Sequence, residues 1–72
     1  MPTIQPTINS SNYTVQITVP FLNIRLNPNP NGKIVGQVKY NQIFTIIQEE
    51  GGYGKLKSGV GWIDLSYTRK MS

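Results

Sequence analysis

From Tyr13 to Val19 apolar and polar residues alternate without a break. Tyr13, Val15, Ile17 and Val19 fall on one face, and Thr14, Gln16 and Thr18 on the other. A side-chain period of two marks a half-buried β-strand, whereas an amphipathic helix needs apolar spacings of three and four. No window of the chain shows that helical spacing. Pro20 ends the first strand, since proline cannot donate to a ladder. Leu22, Ile24 and Leu26 then alternate with Asn23 and Arg25 in a second strand, which runs into an Asn-, Pro- and Gly-dense loop, Asn27 to Gly32. Lys33 to Val38 reads as a third strand, with Ile34 and Val38 on one face and Gly36 between them. Tyr40-Asn41-Gln42 turns the chain into a fourth, Ile43 to Gln48, which is nearly all apolar: Phe44 and Ile46 on one side, Ile43 and Ile47 on the other. Glu49-Glu50-Gly51-Gly52 breaks it, and Tyr53 to Lys57 alternates again. Ser58-Gly59 makes a tight hairpin turn, and Val60 to Ile63 returns. Asp64 to Tyr67 reads as a short turn or 3₁₀ piece before a last short strand. The pattern predicts an all-β fold, a small antiparallel barrel of about six or seven short strands.

The chain has 72 residues and no cysteine. A domain of this size buries only about 60% of the surface its unfolded form exposes. Without disulfides or thiolate metal sites, stability must come from apolar packing and strand pairing, with self-association a further available source. Seven Lys and Arg against three acids give a net charge of +4, which favours anionic partners. The cations (Arg25, Lys33, Lys39, Lys55, Lys57, Arg69, Lys70) form no run longer than two, so a solvated surface and electrostatic steering are both open readings.

Catalysis is disfavoured by what is missing. With no His and no Cys, the usual nucleophilic triads and metal sites cannot be assembled, and no cofactor is expected. Glu49 and Glu50 are the only adjacent acids. A glycosidase needs two carboxyls flanking a cleft at a set separation, and neighbours on a strand point opposite ways.

Residues 1–12 are rich in Pro, Thr, Ser and Asn and have no usable apolar period, which is linker composition. The expected division is a tether over residues 1–12 and one binding domain over 13–72. A domain that begins with such a tether is expected to be cut from, or started inside, a longer protein, with Met1 an internal translation start or a boundary of the piece. No stretch approaches the roughly 20 apolar residues of a membrane span. The start lacks the charged, apolar and small-residue regions of a secretory signal. A site of action outside the membrane would therefore require a larger parent chain, a membrane pore or lysis.

Leu22-Asn23-Ile24-Arg25, Pro28, Ile34-Val35-Gly36, Gly52-Tyr53, Gly61-Trp62-Ile63 and Ser66-Tyr67 occur in that order. The series resembles the bacterial Src-homology-3-like (SH3b) domain over roughly Ile17 to Tyr67. Gly36 and Asn41 stand at that family's glycine-bearing turn positions, asparagine being the usual substitute where positive φ is needed. The chain departs from the family pattern at Leu26-Asn27, where Ser-Gly is common, at Tyr53, where Trp is common, and at Gly54, where an aromatic is common. The resemblance implies a non-catalytic module that holds a peptidoglycan hydrolase, such as a phage endolysin or bacterial autolysin, on the cell wall.

On that footing the ligand lies in a groove between the Asn27–Asn31 loop, the Glu49–Tyr53 connection and the turn ending at Tyr67, with Tyr53 and Tyr67 facing each other. Flat aromatic faces suit extended peptide and the apolar faces of sugars. The candidate binding residues are Arg25, Asn27, Asn29, Asn31, Tyr53, Trp62 and Tyr67. Each has a structural alternative. Trp62 packs on the first strand, which is the favoured reading. Tyr67 pins the turn through its hydroxyl. The asparagines are turn formers. Tyr53 is expected to be exposed beside Lys55 and Lys57. Arg25 pairs with Glu49, Glu50 or Asp64, or meets an anionic stem-peptide carboxylate, and the structural pair is favoured. Val35, Ile43 and Ile47 point outward and form a candidate surface for a homo-oligomer or for docking on full-length hydrolase; the alternative is cover by Ile4, Ile8 and Tyr13. Two rival functions remain: a basic barrel binding nucleic acid, supported only by the Tyr53, Lys55, Lys57 face, and a module taking Pro-rich peptide.

Overall fold

The computed structural model describes residues 12–71. The described residues form one seven-stranded antiparallel sheet: β1 Tyr13–Ile17, β2 Phe21–Arg25, β3 Ile34–Lys39, β4 Ile43–Glu50, β5 Tyr53–Leu56, β6 Trp62–Asp64 and β7 Thr68–Lys70. A 3₁₀ turn, Leu65–Tyr67, separates the last two. The strand order is β3-β2-β6-β5-β4-β1-β7. The all-β antiparallel architecture expected from the alternation is what forms. The tether assigned to residues 1–12, and the cover offered by Ile4 and Ile8, lie outside the described residues apart from Asn12.

The core is the inward face of this sheet. Val15, Ile17, Leu22, Val38, Ile46, Leu56 and Ile63 make one buried cluster, with Tyr13, Val19, Ile24, Phe44 and Leu65 packed on its margin. The β1 and β4 periods therefore land as predicted. Tyr13 stands opposite Ile46, and Val15 opposite Phe44.

Two bulges break the simple alternation. Between β2 and β3 the register runs Ile24 opposite Gly36 and then Arg25 opposite Ile34, which leaves Val35 as an extra residue. Ile34 is consequently 51% exposed and does not share the buried face of Val38. Gly36 lies inside β3, not in a turn. Between β4 and β5 the register steps from Ile46–Leu56 to Gln48–Lys55, so Ile47 is the extra residue and ends half-buried. β1 stops at Ile17, two residues before the expected Val19, because the chain bends at Val19-Pro20. β6 starts at Trp62, not Val60, because residues 57–60 close the hairpin.

Turn chemistry follows the residues. Gly51 (φ 57°) and Gly52 (φ 87°) supply the two positive φ values of a type I′ turn between paired Glu50 and Tyr53. Asn41 takes φ 73°, the left-handed position its identity predicted. Asp64 caps the 3₁₀ turn, its Oδ1 accepting from Ser66 N at 3.0 Å and Ser66 Oγ at 2.7 Å. The outer end of β1 is held by polar contacts. The Tyr13 hydroxyl donates to the Glu49 carboxylate, and the Lys70 ammonium sits 4.6 Å from the Tyr13 ring centroid. Burial first, then the bond to Glu49 and the charge of its carboxylate, push the Tyr13 hydroxyl well above the usual tyrosine range.

Candidate functional site

β2, β6 and β5 lie side by side, with Arg25 opposite Trp62, Lys55 opposite Trp62, and Tyr53 opposite Asp64. Leu22, Leu56 and Ile63 point into the core. By alternation the other face carries Phe21, Asn23 and Arg25 from β2, Trp62 and Asp64 from β6, and Tyr53 and Lys55 from β5. On this outer face is a groove of about 490 Å³, lined by Val19, Phe21, Leu22, Asn23, Arg25, Pro30, Gln37, Tyr53, Asp64 and Tyr67.

Of the predicted binding residues, the groove unites Arg25, Tyr53 and Tyr67. Tyr53 is buried, 8% exposed, and not an exposed aromatic. β5 is an interior strand between β4 and β6, so the ring lies within the groove wall instead of projecting from an edge. Tyr67 is 47% exposed. Its turn is fastened by its carbonyl, which accepts from Thr18 N at 3.0 Å and Thr18 Oγ1 at 2.9 Å.

Asn27, Asn29 and Asn31 do not line the groove. They build the loop: Asn29 N donates to Asn27 O at 2.8 Å, Asn31 N to Asn29 Oδ1 at 2.9 Å, and Gly32 N to Asn29 O at 3.1 Å. The residue this loop lends to the groove is Pro30. Trp62 is also absent from the lining. It is buried, but on the outer face and not in the core cluster, with the Lys55 ammonium 5.9 Å from its ring centroid.

Arg25 is half-buried, and its Nη1 donates to Gly32 O at 2.9 Å. That backbone bond replaces the expected pairing with a carboxylate and ties the long loop to the sheet. Glu49 is engaged by Tyr13 instead. Sequence reasoning missed Asp64, Asn23, Gln37 and Phe21 as groove residues. The signal for Asp64 was its period-two relation to Trp62; Gln37 reaches the groove because β3 pairs Gln37 with Asn23, whose Oδ1 accepts from Gln37 Nε2 at 3.2 Å.

The groove is chemically mixed. Two tyrosines, a phenylalanine and a proline give it flat apolar walls, and Arg25 and Asp64 are its one cation and one acid. Among the described residues no group of three or more Asp or Glu side chains is placed to hold a metal ion, and no helix is long and apolar enough to cross a membrane. Outside the groove, Val35 and Ile43 are 38% and 53% exposed.

Residues 20–69 match the family described as the bacterial SH3 domain. The match spans β2 through most of β7 and so contains every strand that lines the groove. Comparison with curated proteins and with solved structures finds no match to the chain.

Proposed function

Because the chain belongs to the bacterial SH3 domain family, we propose that residues 13–72 act as a cell-wall-binding module that holds a peptidoglycan hydrolase on bacterial peptidoglycan or a polymer attached to it. The module does no chemistry itself. Its contribution is local concentration: a weak site on a tether makes each later encounter of the enzyme with the wall effectively intramolecular. The observation that carries this reading is the convergence of Tyr53, Tyr67 and Pro30 with Arg25 in one groove. Rigid aromatic faces supply contact area at low entropic cost, and a few polar groups fix orientation.

The test is retention of the labelled protein on purified Gram-positive walls, before and after acid stripping of teichoic acid, at low and moderate salt. Retention through both treatments is expected, with about tenfold weaker binding for Tyr67→Ala, whose exposed ring can be removed without opening the core. Retention on DNA with none on any wall would overturn the reading in favour of a basic nucleic-acid-binding barrel. The module also associates, on this reading, with copies of itself or with full-length hydrolase through Val35, Ile43 and Ile47, the first two of which are exposed and apolar. A strict monomer in sedimentation at high protein concentration would remove that second claim.

A further inference from the structure

Arg25 and Asp64 line the same groove, and the sheet register sets them as diagonal neighbours: Arg25 faces Trp62, and Asp64 is two residues further along β6. Such diagonals lie about 7–8 Å apart, a distance that invites an ion pair between side chains. Among the described residues none forms. Each charge is turned to a local structural bond instead, Arg25 Nη1 to Gly32 O and Asp64 Oδ1 to Ser66. Those bonds leave both groups with capacity to spare. Among the described residues the guanidinium uses one of its five N–H donors, and the second carboxylate oxygen of Asp64 has no partner. The groove therefore holds a fixed cation and a fixed anion, unneutralised by each other, at a separation of about two residues of extended chain.

Resting on the wall-binding reading, we propose that this groove recognises the free carboxylate end of a short peptide, with the Arg25 guanidinium on the carboxylate and Asp64 accepting an N–H from the residue before it. A planar carboxylate matches the fork of a guanidinium. The flanking Tyr53, Tyr67 and Pro30 give apolar walls for small side chains. Polyanions fit poorly: a phosphate polymer or nucleic acid needs several cations in line, and here the single cation faces an acid. The recognised group is thus one carboxylate on a peptide and not a repeating anion.

The experiment is an NMR or calorimetric titration of the unmodified protein with acetyl-D-alanyl-D-alanine, a terminus of the kind a bacterial wall presents, as the free acid and as the C-terminal amide. The free acid is expected to bind at least about tenfold more tightly, since a charge-assisted bond is lost in the amide, with shifts at Tyr53, Asp64 and Tyr67. Arg25→Gln is expected to erase the difference between the two peptides. Because that substitution also frees Gly32 O, the comparison of acid with amide on the unmodified protein decides the matter without it. Equal binding of both peptides, binding of neither, or displacement of the free acid by the amide at equal concentration would overturn the assignment. Competition by soluble teichoic polymer but not by the peptide would do the same. Failure of the peptide alongside intact retention on stripped walls separates loss of this inference from loss of the wall-binding reading.

Discussion

Gly61 shows how one residue can be required twice over. Its φ of 83° lies where L side chains are strained, and a Cβ there would sit 2.4 Å from Ile24 Cγ2 and 2.8 Å from Arg25 O. Gly59 shares the first constraint, with φ 91°, but has nothing within 4 Å of its Cβ position. Gly59→Ala is therefore expected to cost about 1 kcal/mol, from backbone strain alone, and Gly61→Ala about 3 kcal/mol, since Ile24 and the β2 backbone must also move. Thermal melts of the pair read this as a difference on the order of 10 °C, and equal losses would show that the close approach relaxes freely. Tyr13 offers a pH handle at the same scale. Its folded-state pKa is raised above the unfolded value near 10. The sign follows: its contribution is complete below about pH 10 and is lost as pH rises beyond it. Urea midpoints of the natural protein and of Tyr13→Phe should differ at pH 8 and converge towards pH 11. A gap that stays constant across that range would mean the hydroxyl does not ionise late.

At the scale of elements, alternation was readable wherever each residue opposed one partner. β1 and β4 placed Val15, Ile17 and Ile46 in the core as expected, and Asp64 to Tyr67 became the anticipated 3₁₀ turn. At the bulges the pattern misled for Ile34, expected on the face of Val38 but exposed, and for Ile47, expected outward but half-buried, because nothing in the composition marks the extra residue of a bulge. The same limit applied to the site. Tyr53 and Tyr67 were legible as aromatics bracketing glycine-rich and turn segments. Asp64 and Gln37 became visible only once strand order was known, since that order is set by long-range pairing. The Gly51-Gly52 turn is a case in which local chemistry and the sheet agree. Both φ values are positive, and neither Cβ position meets an atom within 4 Å. Type I′ turns favour Asn-Gly, which restricts the unfolded chain more than Gly-Gly does. Gly51→Asn should therefore raise stability by about 0.5 kcal/mol, measured as a higher urea midpoint at unchanged slope. A lower midpoint would mean that the turn departs from type I′ in solution.

For the whole molecule, charge poses a question that composition alone leaves open, because a net +4 is compatible with either a polyanion-binding stripe or a solvated surface. The placement of four of the seven cations bears on it; Lys33, Lys39 and Lys57 are exposed. Lys70 lies over the Tyr13 ring, Arg69 Nη2 donates to Gln16 Oε1 at 3.0 Å, Lys55 lies near Trp62, and Arg25 holds Gly32 O. These sites fall on β7, β5 and β2, and only Arg25 belongs to the groove. Ligand held there releases about one counterion's worth of charge, and Asp64 offsets part of that. A stripe gripping a polymer would release one for each phosphate engaged. Binding to stripped walls should thus weaken with salt at a slope of about −1 or shallower in log affinity against log concentration, from 50 to 300 mM. A slope steeper than about −3 would show that several scattered lysines act together on a repeating anion. The groove would then be secondary to the surface charge in holding the protein on its target.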